Sequence, residues 1–90
     1  MKAQVESAGA RVPAVIENVC FDGMNLSLPH NFAHGTLVTI CFSGKRIRAV
    51  VQWSRSREAG VQLLERLPGQ TLIALEKSVE VNRDRVRSLT

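Results

Sequence analysis

Four residues of this 90-residue chain have types and spacing suited to ligand chemistry: Arg11, Asn18, Cys20 and Gly23. The last three lie in the stretch NVCFDGMNLSL, residues 18–28. Asp-Gly between two apolar-alternating stretches is a strong signal for a β-hairpin. The same residues follow the pattern (Asp/Asn)-x-Ser-x-x-Gly with cysteine at the serine place, a spacing that also suits a backbone loop wrapped around a nucleotide base. A short polar side chain such as Asn18 can accept hydrogen bonds, and a glycine lets the backbone come close. Arg11 is the only arginine among the first 45 residues. A guanidinium fork pairs with phosphate oxygens and stacks on a flat ring.

Other chemistries find less support. No Ser, His and acid arrangement or phosphate-cradling glycine loop stands out, so no enzyme is expected. His30 and His34 are framed by Pro29 and Gly35 in a loop, where four-residue spacing does not put both rings on one face. Cys20 and Cys41 lack the short Cys-x-x-Cys spacing that preorganises a zinc site. Solvated histidines and two small buried cysteines are expected instead, with no metal and no cofactor.

The net charge is +4, with the cations gathered late, in KRIR (45–48), RSR (55–57) and NRDRVR (82–87). An anionic partner is one implication. Grips on single-stranded nucleic acid also stack bases on aromatics, and this chain has one tryptophan, three phenylalanines and no tyrosine. Nonspecific nucleic-acid binding by a basic barrel therefore ranks last. No apolar run nears the roughly 20 residues that cross a bilayer, and MKAQVESAGAR contains no signal-like apolar segment. The expectation is a cytoplasmic chain without membrane insertion, its thiols reduced.

The elements that must position these residues read as six short strands. They are expected over residues 4–7, 11–19, 24–28, 36–42, 46–53 and 59–64, with turn residues between them. Pro13 removes a ladder donor, so an edge or a bulge is expected near the start of the second strand. In the fifth, Ile47, Ala49, Val51 and Trp53 alternate with wetter neighbours. After Pro68-Gly69 the period changes: Leu72, Leu75 and Val79 share a helical stripe, predicting a helix over about 69–81. The expected architecture is mainly β: a small six-stranded antiparallel β-barrel over 1–66, then a C-terminal α-helix and basic tail over 67–90. The stripe should cover one barrel opening or meet a partner helix. An open edge on the first strand and an exposed stripe would favour a homodimer.

The order of these features resembles the PilZ domain, over roughly residues 2 to 66. Asn18, Cys20 and Gly23 are followed by Met24 and Leu26, a loop with Gly35 opening an apolar strand, RAVVQW ending in Trp53, and AGVQLLE with Gly60, Val61 and Leu63. The resemblance implies a six-stranded barrel followed by a helix, and a bacterial receptor module for cyclic di-GMP. In that family an Arg-x-x-x-Arg element before the first strand grips phosphate and guanine, while the loop after the second strand wraps the base. Asn18, Cys20 and Gly23 match the loop motif, and Arg11, within the expected second strand, is the candidate arginine contact.

Three departures bear on this ligand. No arginine pair precedes the first strand, Asn18 lacks the charge of an aspartate, and Cys20 replaces a hydroxyl with a weak donor. Arg83 and Arg87 form an Arg-x-x-x-Arg only at the far end. The expectation is a PilZ-like signalling adaptor with weak or no cyclic di-GMP binding that acts through protein contacts. The alternative is a working receptor that uses Arg11 or the tail arginines.

Overall fold

In the computed structural model, which describes residues 1–77, six antiparallel strands close into a barrel in the order β1-β2-β3-β6-β5-β4. The strands are β1 Lys2–Ser7, β2 Ala10–Cys20, β3 Gly23–Ser27, β4 Leu37–Phe42, β5 Lys45–Arg55 and β6 Glu58–Leu63. The expected mainly-β barrel is thus present, with strand ends moved by one or two residues. Alternate residues such as Val5, Ile16, Leu26, Ile40, Val51 and Val61 point inward and are buried. A barrel of so few strands is filled by its own side chains and leaves no lumen.

Three of the hairpins use two-residue loops with both residues in the left-handed region: Ala8 (φ 50°) and Gly9 (80°), Ser43 (47°) and Gly44 (75°), Ser56 (54°) and Arg57 (65°). These are the φ signs of type I′ turns, whose twist matches that of the flanking strands. At 56–57 neither residue is glycine. The turn is held by the 28–36 loop: the Arg57 N–H donates to Asn31 Oδ1 (3.3 Å), and its carbonyl accepts from the Leu28 N–H (2.8 Å). Changing Ser56→Asn and Arg57→Gly together relieves the left-handed strain and keeps both bonds. The double variant is expected to be more stable by about 1 kcal/mol. Thermal unfolding should show this as a rise in Tm of roughly 4–8 °C.

The fourth tight hairpin differs from the sequence expectation. Cys20 pairs with Gly23, so the loop is Phe21–Asp22, and neither of these has a positive φ. Gly23 is the first residue of β3 and its role is close packing: a Cβ there would lie 3.2 Å from the Val61 carbonyl oxygen.

Two bulges decide which side chains face out. In β2 the register shifts between Ile16 and Asn18; in β5 it shifts between Val51 and Trp53. Each extra residue, Glu17 and Gln52, reverses the alternation beyond it. Asn18 and Cys20 therefore point outward while Val19 is half-buried, and Trp53 leaves the face it would share with Ala49 and Val51. This corrects two expectations, a core Cys20 and an inward Trp53. Cys41 is also only half-buried, because it sits between the inward-facing Ile40 and Phe42.

The bulge in β2 is thus not at Pro13, but the expected edge is. The Ile16 N–H donates to the Met1 carbonyl (2.7 Å), and alternate residues of an antiparallel strand bond the same neighbour. Pro13 then directs its nitrogen away from β1, on the side where pairing with β3 begins only at Val15. The missing donor falls where no ladder bond exists. The open edge expected on the first strand is absent, since β1 pairs with both β2 and β4.

A helix begins at residue 69 and continues through the last described residue, 77. Leu72 and Leu75 are buried in the same cluster as the barrel core, as is Leu67 before the helix. The Leu67 N–H donates to the Phe21 carbonyl (2.9 Å), which sets the helix start beside the β2–β3 hairpin. The apolar stripe thus meets the barrel. Val79, Arg83 and Arg87 lie outside the described residues. No helix of the described residues is long and apolar enough to cross a membrane.

Candidate functional site

Asn18, Cys20 and Gly23 come together on the outer face of the barrel, around a shallow depression of about 280 Å³ that Trp53 and Gly60 also line. β2 and β3 carry the first three residues; β5 and β6 bring the others. Asn18 and Cys20 are exposed. The Cys20 thiol points at Asp22 Oδ1 (3.4 Å) and the Gly23 carbonyl (3.5 Å), so its weak donor is engaged within the hairpin.

The Trp53 indole lies directly over Gly60. A Cβ on Gly60 would come within 2.1 Å of Trp53 Nε1 and 2.6 Å of its Cε2. Glycine inside a strand marks such a close approach, and this is the one sequence signal that points to the pairing. The Arg55 guanidinium stands 5.8 Å from the centroid of the same ring. Trp53 remains 40% exposed and forms an aromatic wall beside the loop.

Arg11 is elsewhere. It lies at the opposite end of β2, seven residues from Asn18, or about 23 Å at ~3.3 Å per strand residue. There it forms an ion pair with Glu6. Arg46 joins from β5 with Nη2 2.7 Å from Glu6 Oε1 and Nη1 3.2 Å from Oε2. The Arg46 and Arg11 hydrogen bonds hold the Glu6 carboxyl down from 4.5 to about 2. The structure brings Asn18, Cys20 and Gly23 together and leaves Arg11 in a separate cluster.

A carboxylate held below its ordinary value stabilises the fold fully above pH 4.5, and that contribution is lost as pH falls through about 2. Replacing Glu6 by Gln should therefore flatten the acid limb of the stability curve between these values. Urea midpoints at pH 5, 3.5 and 2.5 measure this; parallel declines for both proteins would contradict the Glu6 assignment.

No family model matches the chain, and neither a curated protein nor a solved structure matches it. The site is therefore read from its own residues. His30 and His34 are exposed, and among the described residues no group of three or more His, Cys, Asp or Glu could hold a metal ion.

The barrel has a second concavity that sequence reading missed. It lies at the end where β3 stops and the 43–44 and 56–57 turns approach, and measures about 990 Å³. Arg11 belongs to its rim. Its cations come from β1, β2, the start of β5 and the 56–57 turn, and the fold of the barrel gathers them.

Proposed function

We propose that this chain is a PilZ-like adaptor that keeps the barrel of a cyclic di-GMP receptor without a working ligand site, and acts through protein contacts. One observation carries the reading: among the described residues, the candidate clamp arginine, Arg11, is about 23 Å along β2 from Asn18 and is paired with Glu6. Charge-assisted hydrogen bonds contribute roughly 1.5–3 kcal/mol each, and micromolar affinity corresponds to about −8 kcal/mol. Without two clamping arginines, binding falls out of a useful range. Cys20 weakens it further, because its thiol is a poor donor already turned toward Asp22.

Support for protein contact comes from the surroundings of the loop. Trp53 (40% exposed) borders the depression, and Phe21 (43%) forms the adjoining hairpin tip. Exposed aromatics supply contact area at small entropic cost and are enriched at protein interfaces. A receptor that used Arg11 would need this residue to leave Glu6 and act at the other end of its strand.

Calorimetry with cyclic di-GMP tests the reading. At protein concentrations on the order of tens of micromolar, no saturable heat is expected. A clear isotherm of unit stoichiometry would refute it.

A further inference from the structure

We propose that the concavity at the end of the barrel away from the helix is a binding site for an amphipathic anion, an apolar body carrying a carboxylate or phosphate head. Its floor is reached by the buried side chains of Ala3 in β1, Ala14 in β2, Phe42 at the end of β4 and Leu28 just after β3. Pro13, Pro29 and Val15, the last 38% exposed, form apolar walls. Lys2, Arg11, Lys45, Arg46 and Arg57 stand around it, and no Asp or Glu lines it.

These five cations differ in what they already hold. Arg11 and Arg46 are engaged by Glu6. Lys2, Lys45 and Arg57 have no carboxylate within salt-bridge distance among the described residues. They come from three places, the start of β1, the start of β5 and the 56–57 turn, so their charges meet only above the apolar floor. A bare inorganic anion would satisfy the rim and leave the floor wet. A neutral apolar molecule would leave three cations unpaired beside it. An anionic amphiphile satisfies both surfaces, and the volume of about 990 Å³ accommodates a ligand of that size.

The position agrees with the fold. The barrel interior is filled by side chains, so the ligand lies across the mouth and does not enter a lumen. The segment leading into the helix lies at the other end, where the Leu67 N–H bonds the Phe21 carbonyl beside the β2–β3 hairpin. Arg57 reaches the rim from a left-handed turn without glycine, a backbone state that persists only where its surroundings hold it. Asn31 and Leu28 supply that support, and Leu28 is itself part of the floor.

The test uses the full chain and 1-anilinonaphthalene-8-sulfonate as a fluorescent anionic probe. Its emission should rise saturably. Dodecyl phosphate or dodecanoate, below their micelle concentrations, should displace it, and the stronger competitor identifies the head group. Dodecyltrimethylammonium should not displace it. Lys45→Glu with Arg57→Glu should weaken probe binding about a hundredfold or more, as expected for losing two charge-assisted contacts. Arg55→Glu with Lys77→Glu, an equal charge change away from the concavity, should leave affinity within about twofold; circular dichroism and melting confirm that both variants fold. The proposal is overturned by the absence of saturable binding, by equal displacement with the cationic amphiphile, or by equal losses in the two double variants.

Discussion

Replacing Leu75 by Ala is expected to destabilise the protein by about 2–5 kcal/mol, the range for deleting a fully buried leucine side chain. Leu75 is 1% exposed and belongs to one cluster with the barrel's inward residues. At roughly 4–8 °C per kcal/mol for a chain of this size, the melting temperature should fall by about 8 °C or more. The neighbouring Ile73 is 55% exposed and serves as the control. Its change to Ala should stay within about 0.5 kcal/mol. Thermal and urea unfolding of both variants measures the contrast. Similar small losses would mean that the helix contributes little to the barrel's core.

Gly60→Ala should destabilise by about 1–3 kcal/mol, against the usual sign for such a change. Glycine weakens a strand, so alanine at an ordinary strand position is neutral or better. Here the added Cβ overlaps the Trp53 indole, with Nε1 at 2.1 Å and Cδ1 at 2.8 Å. The ring must swing off the sheet and lose the apolar face it rests on. Trp53 is the only tryptophan, so intrinsic fluorescence reports on it alone. Emission should shift to the red, and acrylamide quenching should rise. In a Trp53→Ala background the same change should cost nearly nothing, giving a coupling energy of the same size as the single-variant loss. Additive effects would show that the ring does not lie on Gly60 in solution.

The parts of the fold legible in the sequence follow simple periods. Val38, Ile40 and Phe42 alternate and are buried; Leu72 and Leu75 share a helical stripe and are buried. The site depended on features that a single strand does not reveal. A bulge is defined only against the partner strand, and the extra residues Glu17 and Gln52 carry no local mark. Beyond them the alternation inverts, which turned Cys20 and Trp53 from expected core residues into outward ones. Asp22-Gly23 likewise marked a hairpin correctly but not its loop, because Gly23 is needed for its approach to Val61 and not for a positive φ. The cationic rim was illegible for a third reason: Lys2, Lys45 and Arg57 become neighbours only when the barrel closes.

Amide chemical shifts followed during a cyclic di-GMP titration test the central claim most directly. On the proposed reading, Asn18, Cys20 and Gly23 keep the spacing of a base-wrapping loop while Arg11 stays with Glu6 at the other end of β2. It predicts no saturable shifts at Asn18, Cys20 or Gly23 up to about 1 mM ligand, an affinity limit near −4 kcal/mol. Saturable shifts at these three residues at micromolar ligand, abolished by Arg11→Ala, would contradict it.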